Sequence, residues 1–279
     1  MIIYPKVCEK LQGLESLRQE IEKDNGIELQ FFHNNRTWGN FSITNVVERL
    51  MEEVPTIKEI TIHPPLDIYD LELLISKDVN IVKNELKECM MLSNKYNIKI
   101  NMLYHVVWNY EMIKEAILNR IKELVDILDG TNVKILIENI HVSISENINR
   151  CTVLRICQEI NNEHLKMCLD TCHLHCLSNM LHKDFDSFLE NYIDKTIANK
   201  YIYQIHFSAT KNNDGYIEKK THGRKHDSIE ELLKEDYKIL EKYNLTNKNI
   251  VTEVSEENYE SREDQKYEIE LLRKVEKIK

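Results

Sequence analysis

The order of apolar and amphipathic segments along this chain predicts an α/β fold in which eight strands close into one (β/α)8 TIM barrel. Eight short apolar runs alternate with segments whose apolar residues recur every three or four positions, the pattern of strands followed by helices. The 279 residues match the usual length of such a barrel, and no linker rich in Pro, Gly or Ser divides them. We therefore expect a single barrel domain over residues 1–279.

The strands are predicted from runs rich in Ile, Leu, Val, Met or Phe, which suit parallel strands covered on both faces. In chain order the runs are Ile2–Tyr4, Glu28–His33, Glu59–His63, Ile98–His105, Lys134–Glu138, Lys166–Asp170, Tyr201–Phe207 and Asn249–Val254. Parallel strands in a barrel bring their carboxyl ends to one face, where such folds carry their active sites.

The helices are predicted from periodicity and from end signals. Five periodic segments are residues 11–26, 75–97, 111–130, 153–164 and 260–279. A sixth helix is predicted over Ser228–Tyr243, with Ser228 as its N-cap and Glu231 completing a capping box. The stretch Ser208–Asp227 receives no element, and a loop of this length in a compact domain is usually functional.

Composition excludes several classes of protein. No apolar run is long enough to cross a bilayer, and the amino terminus lacks the pattern of a signal peptide. Seven scattered Cys without a CxxC pair indicate reduced thiols, so we expect a cytoplasmic protein. The net charge of −10 argues against nucleic acid as a partner, although bound divalent metals would supply positive charge where a site needs it.

Six of the eight runs are closed by a side chain of the kind that binds metals. These residues are His63, His105, Glu138, Asp170, His206 and Glu253. Any one of them alone would suit a structural histidine or a helix cap, but six at equivalent positions predict one metal site at the C-terminal ends of the strands. Three carboxylates converging there would repel one another without cations between them.

Two further histidines extend this set. His173 follows Asp170 after two residues, and His226 lies at the end of the long loop. Eight donors are too many for one tetrahedral zinc and suit two or three ions, which favours hydrolysis at phosphorus. The alternative is one Mn, Mg or Co ion held by the four residues that would suffice for a sugar isomerase, namely Glu138, Asp170, His206 and Glu253.

Several motifs carry a resemblance to a known family. They are LDTCH at 169–173, Glu-Asn at 138–139, RKHDSI at 224–229 and FFHNNRTW at 31–38. With these motifs, the chain resembles the endonuclease IV family of apurinic/apyrimidinic endonucleases, within the xylose isomerase-like TIM barrels, nearly from end to end. The resemblance implies a monomer that cuts double-stranded DNA 5′ to abasic sites during base excision repair.

The resemblance also implies roles for individual residues. Two Zn²⁺ ions, for which Mn²⁺ could substitute, would be bridged by Glu138, and a third would be held by His173 and His226. Catalysis would depend on Glu138, Asp170 and Glu253, with a metal-bound hydroxide as the nucleophile. The first ion would be completed by His63 and His105, the second by Asp170, His206 and Glu253, and DNA would be contacted by Asn35 or Asn34, Arg36, Trp38 and Lys225.

The sequence departs from the family pattern at four places. Arg224 stands where the family has an aspartate ligand, so the third site is weaker or Asp227, Asp214 or His222 replaces the ligand. The Pro-Gly after the second metal histidine, the tyrosine after the first, and the amino-terminal Gly and His before Val-Ser are also missing. Two alternatives therefore remain open: a single-metal sugar isomerase or epimerase of the same superfamily, and a relative that binds nucleic acid without cutting it.

Overall fold

The computed structural model describes residues 1–31, 42–64, 79–105, 110–140, 151–210 and 223–278, without the side chains of 110–114. In this part of the chain, nine parallel strands form one sheet. They are β1 (Ile2–Tyr4), β2 (Lys6–Cys8), β3 (Gly26–Gln30), β4 (Glu59–His63), β5 (Lys99–His105), β6 (Val133–Glu138), β7 (Leu165–Asp170), β8 (Ile202–Phe207) and β9 (Asn249–Thr252).

The sheet curls into a nearly closed barrel because the amino-terminal segment contributes to both of its edges. The strand order is β1-β9-β8-β7-β6-β5-β4-β3-β2, so β1 pairs with β9 while β2 pairs with β3. Pro5 separates β1 from β2; it has no N–H to donate, and its carbonyl accepts from Glu28 N at 2.9 Å. The predicted α/β barrel is confirmed, and nine strands appear instead of eight because Lys6–Cys8, after this proline, forms a strand that was not predicted.

The described helices lie between the strands. They are α1 (Leu14–Asp24), α2 (Ile43–Glu53), α3 (Val79–Tyr96), α4 (Tyr110–Asp126), α5 (Thr152–Ile160), α6 (Thr171–Met180), α7 (Phe185–Tyr192), α8 (Lys195–Tyr201), α9 (Ile229–Lys234), α10 (Tyr237–Lys242) and α11 (Glu263–Ile278). Four helices, α2, α6, α7 and α8, have no counterpart among the helices predicted from the sequence. The last two begin at side-chain caps, because Asp184 accepts from Ser187 N and Asp194 accepts from Thr196 N.

The helix predicted over Ser228–Tyr243 is two helices in the structure. It begins as predicted, with Ser228 Oγ accepting from Glu231 N at 3.2 Å. The break falls at Glu235 and Asp236, and the Asp236 carboxylate is buried beside the buried imidazole of His175. A straight helix over this range was therefore a wrong prediction, since its apolar period carried no information about this polar contact.

The two sides of the sheet have different chemistry. Between sheet and helices lies one contiguous apolar core, to which nearly every described strand and helix contributes. The barrel interior is largely polar, as Thr61 Oγ1 of β4 donates to Gln204 Oε1 of β8 at 2.6 Å across the barrel. Glu59 accepts from Asn101 and Asn249 in the same way, each at 2.9 Å. This interior differs from the branched apolar layers usual in such barrels.

None of the helices in the described part of the chain is both long enough and apolar enough to cross a membrane.

A glycine of β3 allows the first strand to lie close to its neighbour. The ring of the buried Tyr4 covers Gly26, and a methyl group there would overlap the ring. We expect Gly26→Ala to lower the free energy of unfolding by about 1–3 kcal/mol, the usual cost of overpacking. Urea unfolding measures the change. The same substitution in a Tyr4→Leu background should cost less, and an equal cost in both backgrounds would contradict this packing.

Candidate metal centre

The strand register brings the predicted metal-type residues to one end of the barrel. Neighbouring strands pair His105 with Glu138 and Asp170 with His206, so these side chains leave the sheet at the same level. Glu253 directly follows β9, and its N–H donates to the Phe207 carbonyl at 3.2 Å. The five strand-end residues other than Glu253 are buried, and Glu253 is half-buried. The structure thus places all six predicted strand-end residues in one cluster.

Glu138 is the centre of this cluster. Its Oε2 atom lies 3.3 Å from His206 Nδ1, 3.4 Å from His105 Nε2 and 3.9 Å from His63 Nε2. Its Oε1 atom lies 3.5 Å from His173 Nε2. Two ligands at 2.0–2.2 Å from one tetrahedral ion stand about 3.3–3.6 Å apart, so most of these separations suit donors around a shared cation.

The donors form two groups that share one carboxylate. The first group is His63, His105 and Glu138, and the second is Glu138, Asp170, His206 and Glu253. Within each group the donor atoms lie within 4.8 Å of one another. The buried Glu138 Oε2 accepts no hydrogen bond from any residue that the structure describes. A buried carboxylate oxygen without a donor is costly, and a bound cation would satisfy it, so this donor set fits one or two divalent metals.

One histidine of the first group, His63, offers a neutral nitrogen ligand. Burial, the Lys6 ammonium and the neighbouring His105 lower the pKa of His63 from 6.5 to about 4. His63 is therefore neutral at neutral pH. Its Nδ1 lies 3.0 Å from the Pro64 carbonyl oxygen, so Nδ1 can donate its hydrogen there and leave the lone pair of Nε2 on the side of Glu138.

The second group carries a concentration of negative charge. Burial alone would lower the pKa of His206, but Cys168, Glu253, Glu28 and Glu138 together raise it well above 6.5. Burial raises the pKa of Glu138, and the nearby His206 outweighs this effect and holds the pKa well below its usual range. In the absence of a metal, protonated His206 therefore compensates these carboxylates together with the Lys6 ammonium, which contacts Glu28 and Glu253.

The LDTCH motif owes its geometry to a helix start. Asp170 ends β7 and caps α6, because its Oδ1 accepts from His173 N at 2.5 Å. Asn139 clamps the same residue from the next strand, donating to the Asp170 carbonyl at 3.1 Å and accepting from its N–H at 2.9 Å. The Glu-Asn pair of β6 thus supplies the donor Glu138 and also fixes the position of Asp170.

Sequence reasoning missed a layer of residues behind these donors. Glu28 Oε2 lies 2.8 Å from His206 Nε2, and Lys6 Nζ donates to Glu253 Oε1 at 2.6 Å. Gln204 Nε2 also donates to Glu28 Oε2, at 2.8 Å. The available signal was the presence of charged residues inside strands that are covered on both faces, where a charge is costly unless it is paired.

The structure does not bring His226 into either donor group. Its Nε2 lies 2.8 Å from Asp236 Oδ2 and its Nδ1 lies 2.6 Å from Glu268 Oε1, and all three residues are buried. Both ring nitrogens are thus engaged by carboxylates outside the donor groups. Arg224, at the position of the family's aspartate ligand, pairs with Glu231 and, at 3.1 Å, with Asp227. The third ion predicted for His173 and His226 gains no support from this arrangement.

The predicted DNA contacts are only partly within the described residues. Lys225 forms an ion pair with Asp264 and lies over the Tyr267 ring at 5.3 Å. Its contact with DNA stays a prediction. The other predicted contacts, and two of the three alternative ligands, lie outside the described residues; they are Asn34, Asn35, Arg36, Trp38, Asp214 and His222.

A closed α/β barrel with buried histidines and carboxylates at the carboxyl end of its strands defines the class of metal-binding TIM-barrel enzymes. The chain belongs to the xylose isomerase-like TIM barrel family, whose model matches residues 25–275.

A curated relative agrees with this assignment. The "Probable endonuclease 4" of Oceanobacillus iheyensis is 31% identical over 155 residues, which are 54% of this chain and 48% of that protein. The alignment thus spans about half of the curated relative, and it supports the resemblance to the endonuclease IV family.

Solved structures share the fold at low identity. The IOLI protein with a bound zinc atom has a TM-score of 0.64 and 16% identity over 98% of this chain and 96% of that one. A Thermus thermophilus protein soaked with zinc chloride has a TM-score of 0.57 and 14% identity over 100% and 99%. A D-psicose 3-epimerase with D-fructose has a TM-score of 0.51 and 14% identity over 94% and 89%.

The buried contacts of His226 predict a pH-dependent contribution to stability. Burial would lower the pKa of His226, but Asp236 and Glu268 raise it from 6.5 to about 10. Its stabilisation is therefore complete below pH 6.5 and is lost as the pH rises towards 10. We expect His226→Leu to cost about 3–5 kcal/mol at pH 6, since it leaves the buried Glu268 without its cationic partner and leaves Asp236 with His175 alone.

Urea unfolding in EDTA at pH 6, 8 and 10 measures this effect without bound metal. The matched control is His164→Leu, since His164 is also buried but its neighbouring carboxylates, on Asp129 and Glu163, are exposed. The His226 penalty should shrink from pH 6 to pH 10 while the His164 penalty does not. A His226 penalty that is constant across this range would refute the assigned ion pairs.

Proposed function

We propose that the chain is a divergent endonuclease IV-like, zinc-dependent phosphodiesterase that cuts DNA 5′ to abasic sites. The observation that carries this proposal is the first donor group. His63 and His105 approach the same Glu138 carboxylate that the second group uses, at 3.9 and 3.4 Å. A single-metal enzyme needs only the second group. An additional pair of histidines beside the shared carboxylate suits a second ion.

Two ions fit the chemistry of a phosphodiester. His63 and His105 with Glu138 would hold one ion, and Glu138 with the remaining second-group residues would hold the other. Bound divalent ions would supply a nucleophile at neutral pH and stabilise the charge that develops on phosphate oxygens. The chain's own contribution is to bury the donors and to keep Glu138 between the two groups.

The DNA contacts are part of the proposal. Asn35, Arg36 and Trp38, which follow β3 in the sequence, would approach the duplex, and Lys225 would exchange its pair with Asp264 for a phosphate. The chain has a net charge of −10. Two divalent ions would add four positive charges at the site and so would favour the approach of DNA phosphates there. We also propose that the protein acts as a cytoplasmic monomer on double-stranded DNA.

A single-metal isomerase or epimerase is the second candidate. The second donor group is complete by itself, with three carboxylates and one imidazole within 4.8 Å. The D-psicose 3-epimerase structure shares the fold over most of its length. In this case His63, His105 and His173 would contact a polyol substrate instead of a second ion. A relative that binds nucleic acid without cutting it is the third possibility.

The number of bound ions separates the two enzyme hypotheses. For the nuclease we expect two Zn²⁺ per chain by metal analysis of purified protein, and one fewer in His105→Ala, because the first group then keeps only two donors. The control is His164→Ala, a buried histidine beside the amino end of β7. An unchanged count of one ion in wild type and in His105→Ala would instead favour the isomerase.

Cleavage of a defined substrate tests the activity. Zinc-loaded protein should nick a duplex with one abasic site on its 5′ side and leave the intact duplex uncut. Asp170→Asn should lower kcat/KM by about a thousandfold, since metal ligands stabilise the transition state by several kcal/mol. Gel analysis of the end-labelled strand reads both outcomes. Failure to nick above the Asp170→Asn level with Zn²⁺, Mn²⁺ or Mg²⁺ would exclude the nuclease.

A further inference from the structure

A charged pair lies in the barrel interior directly behind the second donor group. Lys6 begins β2 and is in register with Glu28 of β3. Lys6 Nζ lies 2.8 Å from Glu28 Oε1, with side chains 10% and 0% exposed. Both residues are thus withdrawn from solvent inside a barrel of parallel strands, where branched apolar side chains are usual.

The pair is not explained by stability alone. Removing two ions from water costs several kcal/mol each, and replacing a buried ion pair with apolar residues of similar volume is often neutral or stabilising. The fold nevertheless keeps the two opposite charges in contact at this position, 2.8 Å apart and withdrawn from solvent.

Each member of the pair contacts one candidate ligand. Glu28 Oε2 lies 2.8 Å from His206 Nε2, while His206 Nδ1 faces Glu253 Oε2 at 2.6 Å and Glu138 Oε2 at 3.3 Å. Lys6 binds Glu253 through Oε1, which is the other oxygen of that carboxylate. The pair thus occupies the atoms that point away from the donor group.

A third contact fixes Glu28 itself. Gln204 Nε2 donates to Glu28 Oε2 at 2.8 Å, and Gln204 Oε1 accepts from Thr61 Oγ1 at 2.6 Å. These bonds join β3, β4 and β8 across the barrel interior. Glu28 cannot turn away from His206 without breaking them, so its orientation is determined by three strands.

We propose that Glu28 and Lys6 are positioning residues of the metal centre. Glu28 holds His206 in the tautomer that carries hydrogen on Nε2, so that Nδ1 is presented to the ion of the second group. Lys6 holds Oε1 of Glu253, which directs Oε2 to the same ion. A carboxylate behind a metal-binding histidine fixes its tautomer and raises its basicity. This proposal rests on the metal centre of the proposed function, and it applies whether the reaction is phosphodiester hydrolysis or isomerisation.

The first test measures metal affinity in the purified full-length protein. We expect Glu28→Gln to bind Zn²⁺ about 10- to 100-fold more weakly than wild type in a competitive chelator titration. The matched control is Glu59→Gln, which removes another buried carboxylate of the barrel interior. Glu59 accepts from Asn101, Asn249 and Tyr203 and contacts none of the candidate ligands. The control should bind Zn²⁺ with wild-type affinity.

The second test reads the ligand atom directly. In protein labelled with ¹⁵N histidine and loaded with ¹¹³Cd²⁺, the coupling between metal and nitrogen should fall on Nδ1 of His206, assigned with His206→Gln. In Glu28→Gln this coupling should weaken or divide between the two ring nitrogens, and in Glu59→Gln it should not change. A merely structural role of Glu28 would lower stability without altering the ligand atom.

The double variant Lys6→Met with Glu28→Leu keeps the proposal testable if Glu28→Gln does not fold. An apolar pair of similar volume should leave the free energy of unfolding unchanged or higher, while Zn²⁺ affinity falls about 10- to 100-fold. Wild-type affinity in a folded variant, with coupling still on Nδ1, would overturn the positioning role alone. A wild-type protein that binds no divalent ion would overturn the metal centre as well.

Discussion

The mutual repulsion of three carboxylates is the constraint on which the rest of this site depends. Glu138, Asp170 and Glu253 belong to one donor group whose ligand atoms lie within 4.8 Å of one another. Like charges at such distances and at this degree of burial are not stable without cations among them. His206 meets this need in the absence of metal, because its pKa is raised well above 6.5. The barrel supplies the rigid frame that keeps the three carboxylates from separating.

The six strand-end donors could be predicted from sequence because their convergence follows from two simple rules. Side chains alternate along a strand, and the carboxyl ends of parallel strands share one face. A residue such as His105 therefore needs only a correct strand end to be placed beside Glu138. The barrel fold could be predicted equally well, because the alternation of apolar and periodic segments along the chain is strong. The strand Lys6–Cys8 could not be predicted in this way. It forms because the segments on either side of Pro5 pair with opposite edges of the sheet.

The residues that sequence reasoning misplaced depend on contacts between distant segments. Glu28 reaches His206, and Lys6 reaches Glu253, only after the barrel has closed, because neither β8 nor β9 is a neighbour of β2 or β3 in the sheet. His226 lies in a motif that resembles a metal-binding segment, yet its partner Glu268 lies 42 residues further along the chain. A local motif specifies which side chains are present and leaves open which of two sets of carboxylates a histidine contacts. Replacement of an aspartate by Arg224 adds a cation, which pairs with Glu231.

The two donor groups differ in what an ion must displace. His63 has a pKa of about 4, so this ligand of the first group offers a neutral nitrogen and loses no proton when an ion binds. His206 carries a proton that must leave Nδ1 before this atom can act as a ligand, while Glu28 retains the hydrogen on Nε2. An ion in the second group thus replaces a positive charge already present. Because both ions would share Glu138, occupancy of the second group fixes the carboxylate that the first group needs. The number of bound ions therefore depends on how tightly His63 and His105 bind the first ion. In the proposed function, this number distinguishes hydrolysis from isomerisation.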